Sequence, residues 1–264
     1  MTIGGYTMYG AIIGDIIGSI YEFHNVRHKD IIIDHPGMHF TDDSVLTVAT
    51  MDAILHPEIG YAKMYKQYFR DYVDSNCGFG GRFYQWGLSD SLEPYDSFGN
   101  GSAMRVSPVA YLFNNEAEVL YEAKSSAEVT HNHPEGIKGA QAIALAIYLA
   151  RKGVDKQRIG LRITEQFGYN LSSSIEELQK TNIFDETCQG SVPDALICFI
   201  NSSDFEDCVR TSISIGGDSD TIACMACSIA EAYYGLDKKW IKFADDHLDD
   251  RLRNVVKAFY TKYL

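Results

Sequence analysis

Three segments of this chain are apolar on nearly every side, with no polar face of the kind a surface helix presents. They are Tyr9 to Tyr21, Ile137 to Ala150 and Thr221 to Tyr234. Helices of that kind belong to the centre of a large bundle. In the first, Gly10, Gly14 and Gly18 recur every fourth residue and form one stripe. A helical glycine costs roughly 1 kcal/mol relative to alanine, so the stripe predicts a second helix whose backbone approaches closely. Asp15 lies inside the same segment, where a carboxylate needs a cation or hydrogen-bond donors. Amphipathic helices with recognisable starts should form an outer layer: Ser174 before Glu177, Ser191 before Pro193, and Asp204 before Phe205 to Ser214. The stretch Asp74 to Gly101, rich in Gly, Ser, Pro and aromatic residues, reads as a long loop or a set of short turns. Almost nothing reads as a strand and no repeat is visible. The expected fold is all-α, with residues 1–264 forming a single domain.

Two of the predicted buried helices open on acidic clusters. Thr41, Asp42 and Asp43 stand near the start of the chain, and Asp218, Asp220 and Thr221 near its end. Carboxylates and a threonine hydroxyl are hard oxygen ligands, which suit Mg²⁺ or Mn²⁺ better than His or Cys would. Thr, Asp and Ser are also the favoured helix N-caps, so each cluster alone has a purely structural explanation. Several carboxylates in an interior nevertheless need counter-charge, because desolvating an unpaired one costs several kcal/mol or forces its neutralisation. Gly216 and Gly217 add backbone freedom ahead of Asp218, where two side chains can converge on one ion before the helix begins. Two clusters of like composition point to divalent metal binding.

Composition narrows the partners. The net charge of −13 argues against a nucleic-acid backbone or an anionic membrane surface. No run reaches the roughly 18 apolar residues of a membrane span, and no secretory leader is apparent, so a cytoplasmic location is expected. Of the six cysteines, only Cys224 and Cys227 are spaced like a metal or redox pair, and their apolar surroundings predict buried core thiols. The loop Gly99, Asn100, Gly101, Ser102, Ala103, Met104, Arg105 can expose backbone amides to a phosphate, or can simply be a turn. His131 and His133, spaced HxH before Pro134, favour hydrogen bonding to a substrate over metal ligation, with a helix-entry role as the alternative. Glu22, by itself, reads as a solvated charge.

Taken in order, GAIIGDIIGSIYE from Gly10, FTDDS from Phe40, GNGSAMR from Gly99, THNHPEG from Thr130 and GGDSDT from Gly216 resemble the ADP-ribosylglycohydrolase family. That family includes dinitrogenase reductase-activating glycohydrolases and J1-type crystallins. The resemblance implies a compact orthogonal multi-helix bundle with a binuclear Mg²⁺ site at one end. It implies Thr41, Asp42, Asp43, Asp218, Asp220 and Thr221 as metal ligands, and Asn100, Gly101, Ser102 and His133 as contacts to ADP-ribose. Glu22 then joins the site as the favoured general base, with Asp43 as the other candidate. The implied reaction is hydrolysis of a C1″ glycosidic bond that frees ADP-ribose from a protein side chain or a small molecule. Two other readings stay open: a non-catalytic ADP-ribose-binding or crystallin-like protein, and a different Mg²⁺-dependent hydrolase that yields phosphate or AMP. Linkage and oligomeric state are not legible.

Overall fold

A computed structural model describes residues 7–75 and 77–263 of the chain. Among these residues the regular structure is entirely helical, apart from one isolated bridge between Gly99 and Thr187. The helices are α1 (Gly10–Gly18), α2 (Asp42–Leu55), α3 (Tyr61–Tyr72), α4 (Gly81–Leu88), α5 (Gly101–Met104), α6 (Glu116–Glu128) and α7 (Pro134–Arg151) in the first part. A 3₁₀ turn, Ser107–Tyr111, separates α5 from α6. There follow α8 (Lys156–Phe167), α9 (Ile175–Thr181), α10 (Cys188–Asn201), α11 (Phe205–Ser214), α12 (Ser219–Tyr234), α13 (Lys238–His247) and α14 (Asp250–Tyr263). No helix among the described residues is long and apolar enough to cross a membrane.

The predicted central helices are the central helices. Every residue of α1 is buried, and so is nearly all of α12. The glycine stripe is their contact. A Cβ at Gly10 would lie 2.4 Å from the Cys227 carbonyl oxygen, one at Gly14 2.2 Å from that of Ala223, and one at Gly18 2.3 Å from the Asp220 Cα. Only glycine lets the two backbones meet this way. Ile12, Ile13, Ile16 and Ile17 are fully buried around the contact, each adding about 1.5–3 kcal/mol of burial at most. Glu231, near the end of α12, accepts the backbone N–H groups of Thr7, Met8 and Gly10, so the start of α1 is also pinned to α12. All six cysteines are free and buried, among them Cys224 and Cys227, whose apolar surroundings predict it.

Four sequence expectations need adjustment. α1 ends at Gly18 rather than Tyr21, because the chain turns away after the last close contact with α12. α7 begins at Pro134, three residues before Ile137, with proline in the first turn, where its missing N–H costs nothing. Ser191 is no cap: Thr187 caps α10 by accepting from Gly190 N, and Pro193 lies inside that helix. The stretch 74–101 contains α4, whose Phe83 and Trp86 pack at helical spacing, with Phe83 edge-on to Phe69. By contrast, Ser174 with Glu177 forms a complete capping box, and Asp204 caps α11.

The glycine contact makes a stability prediction. Gly14→Ala presses a methyl carbon against the Ala223 carbonyl, and overpacking of this kind costs about 1–3 kcal/mol or more. The variant should unfold at a clearly lower urea midpoint, whereas Gly81→Ala, with open space around its Cβ, should unfold like the parent. Equal midpoints would mean that α1 and α12 can separate without cost.

Candidate functional site

The close approach of α1 to α12 brings three chain segments to one place. Asp15, on α1, is fully buried and accepts from Thr41 N at 2.9 Å, Thr41 Oγ1 at 2.6 Å, Ser44 N at 3.0 Å and the Ser44 hydroxyl. It thereby holds the N-terminus of α2, and the donors that its burial demanded are those of the first acidic cluster. Thr41 caps α2 by accepting from Asp43 N at 3.3 Å. Asp43 Oδ2 accepts from Thr221 Oγ1 of α12 at 3.2 Å, which joins the two clusters directly. Asp218 precedes α12 and accepts from Asn100 Nδ2 at 2.7 Å. Gly216 and Gly217 both take positive φ there, and a Cβ at Gly216 would strike the Arg27 guanidinium.

The two acidic clusters open on one cavity of about 480 Å³, with Asp15 buried behind them. Glu22, Asp42, Asp43, Asp218, Asp220 and both threonines of the clusters form part of its wall. Two carboxylate groupings have oxygens within 4.8 Å of one another: Asp15, Asp43 and Asp220, and Glu22, Asp218 and Asp220. Burial is the main force raising the pKa of each of these carboxyls and of Asp42. Neighbouring carboxylates add to it, Asp15 for Asp42 and Asp43, and Asp218 for Asp220. Glu22, half-buried, is pushed up to about 7 by burial and then by Asp218. Asp43 Oδ1 is buried with no hydrogen-bond partner among the described residues. An orphaned carboxylate oxygen among other hard oxygens fits a divalent cation, and the donor set can hold one.

The rest of the lining is different in charge: Arg82, Arg105, Tyr95, His131 and the Gly99–Asn100–Gly101 loop contribute to it, together with Glu186 and Thr187. The loop is tied to the segment before α10: Asn100 N donates to the Glu186 carbonyl at 2.7 Å, and Cys188 N to the Phe98 carbonyl. Ser102 and His133 do not reach the cavity. The Ser102 hydroxyl donates to the Gly136 carbonyl at 2.7 Å. His133 caps α7, its ring accepting from Glu135 N, and packs on Phe98, which does line the cavity. The cavity histidine is His131. Sequence reading could not separate the two members of an HxH pair, because burial decides between them. Arg82, Tyr95 and Glu186 carried no motif at all, and Arg105 stood out only as a lone cation.

The fold and the cavity define a class: an all-helical protein in which a ligand-sized cavity combines carboxylates able to gather a hard cation with a cationic, glycine-lined wall. The chain belongs to the ADP-ribosylglycohydrolase family, whose sequence profile matches residues 6–263. It is 28% identical to the ADP-ribosylhydrolase ARH3 of Mus musculus, covering 87% of this chain and 83% of that one. Identity to the ADP-ribosylarginine hydrolase Tri1 of Pseudomonas putida (strain GB-1) is 24%, over 89% of this chain and 72% of that one. A solved ADP-ribosylglycohydrolase-related protein complex shares the fold, with a TM-score of 0.72 at 20% identity over 98% of this chain and 97% of its own. The expectation of a glycohydrolase enzyme is met at the level of the family.

The raised carboxyl pKa values predict a pH effect. A folded state that keeps protons already lost by the unfolded chain loses stability as pH rises. The window runs from the ordinary carboxylate range near about 4 up through the raised folded values, about 7 for Glu22. Thermal unfolding in chelator should therefore give a midpoint that falls across this range, and Mg²⁺ should flatten the slope. A midpoint in chelator independent of pH would mean that the carboxylates are not desolvated in this way.

Proposed function

We propose that this protein is a Mg²⁺-dependent hydrolase that frees ADP-ribose by cleaving the C1″ glycosidic bond to a protein side chain or small molecule, the whole chain acting as one domain. The observation that carries the reading is one cavity lined both by the two acidic clusters and by Arg82, Arg105 and the Gly99–Gly101 loop. ADP-ribose has matching parts: a ribose rich in hydroxyls at one end of an anionic diphosphate. The names of the ADP-ribosylhydrolase relatives support the same chemistry.

Thr41, Asp42, Asp43, Asp218, Asp220 and Thr221 would hold two Mg²⁺ ions, with Mn²⁺ as the substitute. Divalent cations there supply positive charge for orienting the ribose hydroxyls and for offsetting the carboxylates themselves. Asp15, saturated by Thr41 and Ser44, sets the ligands rather than serving as one. Cleavage passes through an oxocarbenium-like state, so the attacking water must lose a proton as the bond to C1″ breaks. Glu22 is the base: its carboxyl is partly buried beside Asp218 and Asp220, close to where the ions would sit, and it is not among the residues assigned to hold them. Asp43, drawn into ligation, is the lesser candidate. Asn100 and Gly101 present the loop to the diphosphate, Ser102 ties that loop to α7, and His133 steadies Phe98 at its edge.

Product analysis by mass spectrometry tests the reading, with arginine-, serine- and small-molecule-linked ADP-ribose conjugates as substrates and Mg²⁺ present. Free ADP-ribose should appear. Asp218→Ala with Asp220→Ala should abolish its release, and Glu22→Gln should slow it by about a hundredfold or more while metal binding persists. AMP or phosphate as product would overturn the assignment. Tight ADP-ribose binding with no release from any conjugate would leave a binding protein.

A further inference from the structure

Arg105 is fully buried on the cavity wall, and among the described residues no carboxylate pairs with it. Its Nη2 donates to Thr130 Oγ1 at 2.7 Å and, at 3.4 Å, to the Ser126 carbonyl. Its guanidinium lies over the Tyr65 ring at 4.1 Å, while Nε and Nη1 find no hydrogen-bond partner among the described residues. Thr130 Oγ1 is in turn 2.8 Å from His131 Nδ1. Arginine only donates, so Thr130 Oγ1 accepts from it, and the single hydroxyl proton is left for the histidine. The reverse polarity, Nδ1–H donating to Thr130, would strand the threonine proton in a fully buried place with neither neighbour to accept it. The network therefore makes Nδ1 an acceptor.

His131 is also held neutral. Burial lowers its pKa well below the ordinary range, and the charges of Arg105 and Arg82 add to the effect. A neutral imidazole that accepts at Nδ1 carries its proton on Nε2. That nitrogen faces the glycine loop: a Cβ at Gly101 would lie 3.2 Å from it, and one at Gly99 3.6 Å.

We infer that Arg105 and Thr130 are positioning residues that fix His131 as an Nε2–H donor, aimed at an anionic oxygen of the ligand beside the Gly99–Gly101 backbone. The ligand assignment rests on the proposed reading of the cavity, but the tautomer is set by the protein alone. A neutral donor grips a diphosphate oxygen directionally without adding a third cation next to Arg82 and Arg105, and without a proton that neutral pH could remove.

Nitrogen-15 NMR of histidine-labelled protein, with His131 assigned from the signals missing in His131→Gln, reads this arrangement directly. The Nε2–H pattern should persist unchanged from about pH 5.5 to 8, the interval in which an ordinary imidazole titrates. Thr130→Val should lose the exclusive pattern and bind ADP-ribose about tenfold more weakly by calorimetry, and Thr130→Ser should restore both. An Nδ1–H pattern in the parent protein, or titration within that interval, overturns the inference whether or not the protein hydrolyses anything. So does a folded Thr130→Val protein with tautomer and affinity intact. An Nε2–H ring in a protein that releases no ADP-ribose supports the relay and counts against the proposed reaction alone.

Discussion

Everything at the cavity depends on the backbone-to-backbone contact of α1 with α12. Three glycines in one helix cost roughly 3 kcal/mol of intrinsic propensity, and a methyl group at any of them would collide with α12. What the contact achieves is placement. Asp15 sits one residue after Gly14, and Asp220 lies directly over Gly18. Because Asp15 grips Thr41 and Ser44, the N-terminus of α2 follows α1, and Asp43 comes within reach of Thr221. Two acidic clusters far apart in sequence are thus joined through a single helix pair. The surrounding helices bury apolar surface around that pair, as larger side chains on α1 would not allow.

The same placement creates a charge problem that the protein alone only partly solves. Asp42, Asp43 and Asp220 lie in first helical turns, where the helix dipole favours an anion by about 0.3–1 kcal/mol each. Desolvating a carboxylate costs several kcal/mol, so the dipoles do not balance the account. Hydrogen bonds satisfy Asp15 well and Asp218 in part, yet leave Asp43 Oδ1 bare. The direction of every pKa in the group reflects that residual cost. A binding site is what remains when a fold holds carboxylates at fixed positions without supplying their counter-charge.

Much of this was readable from residue types alone. The glycine period, the all-round apolar segments and the paired acidic openings each follow from local spacing, and they located α1, α2, α12 and the carboxylate wall. The expectation of a cation or donors for Asp15 was likewise a burial argument, answered by Thr41 and Ser44. What failed was whatever depends on tertiary partners. Ser191 has the chemistry of a cap, but Asn100 Nδ2 reaches its hydroxyl and Thr187 starts the helix instead. α4 was hidden because its glycines and aromatics lack helical propensity and are held by packing against Phe69. His131 and His133 differ by nothing that spacing can express, and Glu22 gains its character from tertiary burial and then from the neighbouring Asp218 carboxylate.

The cationic lining meets the carboxylates through Asn100, whose amide donates to Asp218, while its arginines stay unpaired with them. Arg105 keeps its charge in a fully buried place on little more than the Tyr65 face, a threonine oxygen and one carbonyl. Paired with a carboxylate it would be neutralised and would offer a ligand nothing. Left unpaired, it projects a positive potential into the cavity from a fully buried position, where solvent screens it weakly. A molecule that carries anionic and hydroxyl-rich parts on one short frame can satisfy both kinds of lining at once, while a simple anion satisfies only one and is repelled by the other. Selection for such a two-ended ligand therefore arises from where the charges are left uncompensated, before any individual contact to the ligand is counted.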